Sequence, residues 1–218
     1  MGRVMVKVMV RVKQMKKVYV LGHESDADWL IPLYDEIHII SYLEHPGDIV
    51  AKVDLLIFTG GQDISPSLYG EYYPEIHFSP DRDAREVAWF KWAVEHNVPM
   101  FGICRGMQLL NALTGGKLIP DVNNHYQNHS VHTHFSKEVS MFHEFQVNSI
   151  HHQMCIPPKT ARLLAWARYQ AFQDGIEPEA LWFPTVRALG VQWHPEMMDT
   201  DSKATQFIYS QLVKYLGV

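Results

Sequence analysis

Short apolar runs separated by polar turns mark the first part of the chain. Residues 16–22 form a β-branched run that ends in glycine, residues 37–42 form a second, and residues 53–61 form a continuous apolar run that ends in two glycines. Such runs predict strands, and the continuous run at 53–61 is typical of a strand buried on both faces. The next segment, residues 62–78, contains Pro66, Gly70 and Pro74, which together predict an irregular loop.

A helix is predicted to follow this loop and to end before Asn97 and Pro99. Ser79 can cap its start and Pro80 fits the first helical position. Asp81 and Asp83 are expected to favour the positive end of the helix dipole. Its apolar stripe is predicted from Val87, Phe90 and Val94, with Trp89, Trp92 and Ala93 beside them.

The remaining pattern also alternates between strands and helices. Residues 99–103 predict a buried strand and residues 104–116 a helix. The polar, His-rich residues 120–150 are expected to pass over the surface. Three further strands are predicted within residues 161–196, the last two antiparallel, and a final helix starts near Ser202. Together these elements predict a three-layer α/β fold with a mainly parallel sheet.

Composition narrows the class of protein. The 218 residues suit one α/β domain, and the net charge of −5 argues against a general nucleic-acid binder. No apolar run is long enough for a membrane span, and the start lacks the apolar core of a secretory signal. Two cysteines, Cys104 and Cys155, indicate a reduced, cytoplasmic protein rather than a disulfide framework.

The basic residues are concentrated at the start of the chain. Six of the nineteen Lys and Arg lie in the first 17 residues, where valine at every second position predicts a strand. This arm is compatible with an extra edge strand, a disordered extension or a wrongly assigned start. We therefore expect a basic extension over residues 1–15 and a single domain over residues 16–218.

Cys104 stands between two glycines in the sequence Gly102-Ile-Cys104-Arg105-Gly106, after a predicted strand and before a predicted helix. This is the layout of a nucleophile elbow, in which a tight turn exposes the nucleophile. The helix amino end would stabilise a thiolate, and the Arg105 backbone N–H could face a developing oxyanion. A buried cysteine in an ordinary turn explains the short motif equally well.

A nucleophilic thiol also needs a base and a second oxyanion donor. His194 and Glu196, in GVQWHPE, lie on one side of a strand end, so the carboxylate could orient the imidazole. The alternative is a solvent-facing histidine beside a glutamate. Gly60 and Gly61 could bring a backbone N–H to the same sheet edge as Cys104, or could simply end their strand.

Four separated segments, in order, resemble the class I glutamine amidotransferase family. They are GGQDISPSLYG, the stretch from DRDAREV to LTGGKL, VNSIHHQ and GVQWHPE. The first and third are most similar to its γ-glutamyl-γ-aminobutyrate hydrolase branch. The resemblance covers about residues 16–216 and implies a flavodoxin-like, three-layer fold whose mainly parallel sheet carries antiparallel edge strands.

The resemblance implies a Cys104–His194–Glu196 triad that cleaves a γ-glutamyl amide through a γ-glutamyl thioester. It places the oxyanion donors at the backbone of Gly61 and Arg105. The implied substrate-binding residues are Gly60, Gln108, His151 and His152. Neither a cofactor nor a metal is implied, and the expected ligand is a small γ-glutamyl compound.

Alternatives to a stand-alone hydrolase follow from the same residues. A glutaminase subunit would deliver ammonia to a separate synthetase partner, and a homo-oligomer is a further candidate assembly. A catalytically silent scaffold is disfavoured because all three triad positions are intact. The histidine run at His125, His129, His132 and His134, with His143, His151 and His152 downstream, is a weak candidate for a metal site, because no carboxylate or cysteine completes its spacing.

Overall fold

A nine-stranded sheet forms the centre of the protein in its computed structural model. The structure describes residues 17–22, 26, 29–30, 36–41, 44–49, 52–71, 77–122, 128–133, 144–168 and 176–217. The basic arm of residues 1–15, with its predicted strand, lies outside these ranges, and the division into an arm and one domain stays a prediction. Among the helices within these ranges, none has the length and apolar character needed to cross a membrane.

Eleven strands and three α-helices make up the regular structure of the described residues. The strands are β1 (Val18–Leu21), β2 (Ile37–Ile39), β3 (Leu55–Phe58), β4 (Met100–Ile103), β5 (Lys117–Ile119), β6 (His129–Thr133), β7 (Glu144–Val147), β8 (Met154–Ile156), β9 (Arg162–Arg168), β10 (Ile176–Phe183) and β11 (Ala188–Val191). The helices are α1 (Pro80–Glu95), α2 (Arg105–Leu113) and α3 (Lys203–Gln211), and α3 runs into a π-helical turn at Leu212–Leu216.

The strand order in the main sheet is β2-β1-β3-β4-β11-β10-β9-β6-β7. The first five of these strands are parallel, and the last four continue the sheet in antiparallel pairing. β3, β4 and β11 lie side by side at the centre. Since parallel strands all point the same way, the segments that follow these three strands meet at one edge of the sheet.

Apolar side chains alternate between the two faces of the sheet and build two cores. In β1, Val18 and Val20 pack into the core that includes α3, whereas Tyr19 and Leu21 pack into the core beneath α1 and α2. Alternation of this kind follows from the two-residue period of a strand. Helices therefore cover both faces, which confirms the predicted three-layer α/β fold with antiparallel strands at one edge.

The polar stretch at residues 120–150 differs from the prediction, since it contributes β6 and β7 to the main sheet. In β7, Phe145 and Val147 are buried while Glu144 and Gln146 are exposed. Antiparallel strands can leave one face in water, so their sequences carry as many polar as apolar residues. The prediction of a surface excursion is thus wrong for these two strands. A small antiparallel pair, β5 with β8, was also not predicted.

Helix α1 has the predicted start, and Trp89, Phe90 and Ala93 of its predicted apolar stripe are buried, but the buried face differs in part. The Ser79 hydroxyl accepts a hydrogen bond from the Arg82 N–H, as expected of a cap. Val94, predicted to lie in the apolar stripe, is 41% exposed. Two carboxylates take part in the buried face instead, which consists of Asp83, Glu86, Trp89, Phe90 and Ala93. The helix is turned so that acidic side chains of its first two turns point inward.

Candidate active site

Cys104 occupies the sharp turn between β4 and α2. Its backbone has φ 50° and ψ −105°, a conformation that L-residues rarely adopt. Both flanking glycines are required by close packing, because a Cβ on Gly106 would lie 2.1 Å from the Phe58 carbonyl oxygen and one on Gly102 2.5 Å from the Gly106 carbonyl carbon. The turn therefore has the geometry of a nucleophile elbow, with the cysteine at the amino end of α2.

Two glutamines lie beside the thiol. Gln192 Nε2 is 3.5 Å from Cys104 Sγ, and Gln108 Nε2 is 3.4 Å from Gln192 Oε1. All three side chains are buried. Gln108 thus lies near Cys104, while the contact with sulfur is made by Gln192; the substrate-binding role of Gln108 stays a prediction. Gln192 was missed, although it stands two residues before His194 in the same motif.

His194 and Glu196 form a close pair just beyond β11. The Nδ1–H of His194 donates to Glu196 Oε1 at 2.5 Å. The strand ends at Val191, and a short 3₁₀ turn at Pro195–Met197 carries the carboxylate rather than the predicted extended strand. The hydrogen bond fixes the tautomer of the imidazole and leaves Nε2 for another partner.

The charge on His194 is strongly favoured by its surroundings. Burial by itself lowers the pKa of the imidazole, but the Cys104 thiol and the Glu196 carboxylate outweigh it and raise the pKa from 6.5 to about 10. A sulfur atom and a carboxylate on either side of the imidazole stabilise its imidazolium form, so His194 can carry a positive charge at neutral pH.

Asn148 holds the backbone of His194 in place. Its side-chain amide donates to the His194 carbonyl oxygen at 2.8 Å, and its Oδ1 accepts from the His194 N–H at 2.8 Å. Asn148 belongs to the VNSIHHQ segment and was not predicted as a site residue. No local signal identifies it, because the contact spans 46 residues of sequence.

Gly60 and Gly61 follow β3 and touch the site from the other side. A Cβ on Gly60 would lie 2.7 Å from His194 Cε1, so the imidazole packs directly against this backbone. Gly61 has φ 140°, and a Cβ there would lie 2.2 Å from Arg82 Nη1. The structure thus brings both glycines to the sheet edge that carries the imidazole, and each position excludes a larger residue.

A buried network of charges joins the two backbone segments of the site. The Arg105 guanidinium donates to Glu86 Oε2 and, at 2.5 Å, to Asp83 Oδ1. Arg82 donates through Nε to Glu86 Oε1 at 2.7 Å and through Nη2 to the carbonyl oxygens of Thr59 and Gly60. Glu86 therefore lies between the guanidinium that follows the thiol and the one that holds the glycine turn.

Asp83 lies in the first turn of α1, as predicted, and its carboxylate is also buried against Arg105. Burial raises the pKa of its carboxyl, against the opposing effects of the Ser65 N–H and the Arg105 guanidinium. Ser65 donates to Asp83 Oδ2 at 2.8 Å, so this carboxylate also fastens the loop after β3. Asp81, two residues earlier, is exposed.

Residues 36–196 match the family model described as Peptidase C26. The chain belongs to this class I glutamine amidotransferase-like family. It is 37% identical over 171 residues to the glutamine amidotransferase-like protein YvdE of Lactococcus lactis, which is 70% of each chain. It is 28% identical over 190 residues to the γ-glutamyl-γ-aminobutyrate hydrolase PuuD of Escherichia coli, covering 76% of this chain and 72% of that protein.

The fold of this Peptidase C26 protein recurs in a solved glutaminase domain. The glutaminase domain of Trypanosoma brucei CTPS superposes with a TM-score of 0.60 at 16% identity, covering 92% of this chain and 94% of that chain. This likeness concerns the fold. Family membership and the hydrolase relatives identify the protein as a glutamine amidotransferase-type hydrolase, as the sequence motifs predicted.

The two histidines of VNSIHHQ face different neighbours in this Peptidase C26 protein. His152 Nε2 lies 3.0 Å from Asp63 Oδ1, which ties the segment to the loop that follows Gly61. Burial raises the pKa of the Asp63 carboxyl, opposed by His152 and Arg105. His151 is buried and its Nδ1–H donates to the Gln153 carbonyl oxygen at 3.0 Å.

One group of side chains has the donor atoms for a metal ion. Ligand atoms of His151, Glu177 and Glu179 lie within 4.8 Å of one another, and all three residues are buried. His129 Nε2 also contacts Glu179 Oε1 at 2.9 Å. This group includes His151 of the predicted histidine set together with two glutamates that the sequence did not indicate, whereas His125, His134 and His143 lie outside the described residues. His129 is the residue of that run that contacts Glu179.

Cys155 occupies a different environment from Cys104. It lies in β8 and is 1% exposed. Burial raises the pKa of its thiol well above the ordinary value, and Cys104, Glu179 and Glu177 add to the rise. A thiol in such surroundings stays protonated and unreactive, in line with the structural role expected from its sequence context.

Proposed function

We propose that the protein is a cysteine-dependent hydrolase that cleaves the amide bond of a γ-glutamyl compound and releases glutamate and an amine. The observation that carries this proposal is the constellation at the sheet edge: Cys104 in a strained elbow, with an imidazole of raised pKa bound to Glu196. Membership of the Peptidase C26 family and the hydrolase PuuD among its relatives support the same class of substrate.

In the first step, the Cys104 thiolate attacks the γ-carbonyl carbon and a C–S bond forms. The carbonyl oxygen takes up the negative charge and is stabilised by the backbone N–H groups of Gly61 and Arg105. Support for these two donors comes from the charge network, since Arg82 holds the Gly60 carbonyl and the Arg105 side chain is anchored to α1. A fixed pair of donors needs little reorganisation during the reaction.

In the second step, the His194 imidazolium gives its Nε2 proton to the leaving nitrogen, and the C–N bond breaks. A γ-glutamyl thioester and a free amine result. The neutral imidazole then takes a proton from water, whose oxygen attacks the thioester carbonyl. The C–S bond breaks, glutamate is released, and Cys104 is restored as a thiolate beside a protonated His194. Glu196 keeps the imidazole in the required tautomer throughout.

The glutamyl group is proposed to bind on the side of the thiol where Gln108 and Gln192 lie. Gly60, His151 and His152 would complete its surroundings. His152 is suited to shape this pocket, because its contact with Asp63 joins VNSIHHQ to the loop after β3. His151 would support the VNSIHHQ segment from the core side rather than touch the substrate, since its ring is 4% exposed and hydrogen-bonded to the Gln153 carbonyl oxygen.

A glutaminase subunit is the second candidate function. Its support is the fold shared with the glutaminase domain of CTPS, a protein in which such a domain is one part. In that case glutamine would be the substrate and ammonia would pass to a synthetase partner. The chemistry at Cys104 would be identical in both cases, so only the preferred amide and the need for a partner distinguish them.

The test is hydrolysis by the purified chain alone of glutamine and of a panel of γ-glutamyl amines, followed as glutamate release. We expect turnover without a partner and a mass increase of one γ-glutamyl group on Cys104 after rapid quenching. Cys104→Ser should lower kcat at least about a thousand-fold, whereas Cys155→Ser, the matched change at the other cysteine, should retain turnover. Full activity of Cys104→Ser would overturn the mechanism. Activity on glutamine that appears only with a partner would favour the glutaminase subunit.

A further inference from the structure

The fold brings two carboxylates to the histidine-rich part of the chain. His151 lies in VNSIHHQ, whereas Glu177 and Glu179 belong to β10, on the antiparallel side of the sheet. Ligand atoms of these three side chains lie within 4.8 Å of one another. The proposed hydrolysis assigns no chemical step to any of the three, so the group they form is open to a chemistry of its own.

An irregularity in β10 helps to bring the two carboxylates together. The pairing of β10 with β9 shifts between Pro178 and Ala180, so Glu179 is an extra residue in its strand. A bulge of this kind redirects a side chain relative to the regular alternation of a strand. The Glu179 carbonyl oxygen accepts a hydrogen bond from the Gln192 N–H at 2.8 Å, which fixes the bulged residue against β11.

The imidazole of His151 is oriented by its own segment. Its Nδ1 lies 3.0 Å from the Gln153 carbonyl oxygen, which can only accept, so Nδ1 carries a proton. The other ring nitrogen, Nε2, lies 4.0 Å from Glu179 Oε1. In the neutral ring Nε2 offers a lone pair, so two electron-pair donors face each other across this distance. Metal-binding histidines are held in the same way, with the second nitrogen donating to a carbonyl or a carboxylate.

His129 of β6 supports one of the two carboxylates. Its Nε2 lies 2.9 Å from Glu179 Oε1, and its side chain is 24% exposed. A carboxylate that binds a metal is itself commonly held by a hydrogen bond from a neighbouring side chain. The partly exposed imidazole also means that a single side chain separates Glu179 from solvent, which gives an ion a short way in.

The charge of the group favours a cation. Glu177 is 2% exposed and Glu179 is completely buried, and buried carboxylates are costly unless they are paired or bind a metal. Both carboxylates contribute to the raised pKa of the Cys155 thiol, so their negative charge acts on the surrounding side chains. A divalent cation between them would offset this charge.

We propose that His151, Glu177 and Glu179 bind a divalent first-row transition-metal ion, for which Zn²⁺ is the probe. One imidazole nitrogen and two carboxylate oxygens suit such an ion, whereas Mg²⁺ and Ca²⁺ prefer oxygen donors alone. Two atoms bound to one Zn²⁺ lie at most about 4.4 Å apart, because each bond is about 2.0–2.2 Å long. The 4.0 Å between His151 Nε2 and Glu179 Oε1 is within this limit. A donor pair at the outer limit of 4.8 Å would need to approach by about 0.4 Å.

The bound ion would join β10 to VNSIHHQ. Two of its ligands belong to the strand and the third belongs to the segment whose Asn148 is hydrogen-bonded to the His194 backbone. Its role is therefore structural, since it would fix the path of this segment beside the sheet. The ion takes no part in the reaction at Cys104, so this inference does not depend on the proposed function.

The test is a calorimetric titration of Zn²⁺ into the full chain after metal removal with a chelator. We expect one tight site per chain, weakened at least about a hundredfold by Glu177→Gln and about 10–100-fold by His129→Gln. Glu144→Gln makes the same change at an exposed position of β7 and should leave the affinity unchanged. Wild type should also gain roughly 5–10 °C in Tm at a free Zn²⁺ concentration of about one hundred times Kd.

Equal Zn²⁺ affinity of wild type and Glu177→Gln would overturn the site, and Mg²⁺ binding as tight as that of Zn²⁺ would overturn the choice of metal. Crystals of wild type grown with Zn²⁺ give a test that needs no variant to fold. Anomalous scattering should place an ion about 2.0–2.2 Å from His151 Nε2 and from an oxygen of each glutamate. Peaks only at exposed histidines, or no peak, would refute the proposal and leave protons to balance the charge of the group.

The result is independent of the hydrolysis assay. If wild type releases glutamate but binds no Zn²⁺ at this group, the metal site fails and the proposed function stands. If wild type binds Zn²⁺ here but hydrolyses neither glutamine nor γ-glutamyl amines, the proposed function fails and the metal site stands.

Discussion

Glu86→Gln tests whether the buried charge network holds the site together. The carboxylate of Glu86 is 1% exposed and accepts hydrogen bonds from two guanidinium groups, those of Arg82 and Arg105. Glutamine has nearly the same shape but no charge. In the variant, Arg105 keeps one carboxylate partner, Asp83, and stays almost completely buried, whereas Arg82 loses its ion pair with Glu86.

The magnitude follows from the cost of a buried charge that has lost its partner. Removing one member of a buried ion pair costs about 3–5 kcal/mol. For a chain of about this size, each kcal/mol lowers Tm by about 2–4 °C, so the expected decrease is about 6–20 °C. We also expect a lower kcat at temperatures where the variant is folded, because the Gly60 turn and the Arg105 backbone both lose an anchor.

Glu95→Gln is the matched control, since it makes the same chemical change in the same helix. Glu95 is exposed in the last turn of α1, where a negative charge opposes the helix dipole. Its removal should change stability by less than about 0.5 kcal/mol. The assays are thermal unfolding by circular dichroism and glutamate release at a fixed interval below each Tm. A Tm for Glu86→Gln within about 2 °C of that of Glu95→Gln would refute this account of the network.

Three further predictions concern the residues around the imidazole. Because the folded-state pKa of His194 is raised from 6.5 to about 10, the contribution of His194 to the free energy of unfolding should be complete below pH 6.5 and disappear as pH rises toward 10. The value of kcat/KM should fall over the same upper pH range. Glu196→Gln should move that fall to lower pH in a pH–rate profile, and an unmoved profile would contradict the pairing. Gly60→Ala should reduce kcat by at least about tenfold with little change in Tm, because the new methyl group meets His194 Cε1; unchanged kinetics would show that the imidazole does not depend on this contact. Asn148→Leu removes two hydrogen bonds to the His194 backbone, so Tm should fall by an amount equivalent to about 1–3 kcal/mol, and kcat should fall as well. The control is Asn128→Leu, because Asn128 is exposed and lies outside the site; this change should alter neither Tm nor kcat.

Local sequence patterns were sufficient for the features that depend on neighbouring residues. The elbow at Cys104 could be predicted because glycines two residues away on each side are the only residues that the turn allows. The same is true of the pairing between His194 and Glu196, which needs only two positions of separation. The fold class followed from the alternation of apolar runs and helical stripes.

Partly buried strands were harder to predict. β7 contains as many polar as apolar side chains and β6 contains more polar than apolar ones. Their place in the sheet depends on the pairing of β6 with β9 and of β7 with β6. A polar strand and a polar loop have the same composition, so the pattern alone did not separate them. The buried face of α1 was predicted only in part, because apolar spacing included the exposed Val94 and gave no sign that Asp83 and Glu86 point inward to meet Arg105.

The sequence by itself predicted the α/β fold, the tight turn at Cys104 and the pairing of His194 with Glu196. The turn and the pairing depend on residues within a few positions of one another, which is why local patterns were sufficient for them. Only the tertiary structure decided that Gln192 meets the Cys104 sulfur across 88 residues and that Asn148 holds His194 across 46. Contacts of that separation are made by the packing of β4 beside β11 and by the path of VNSIHHQ. A local sequence pattern cannot reveal them, because a hydrogen bond forms only between atoms that the fold brings within about 3 Å of each other.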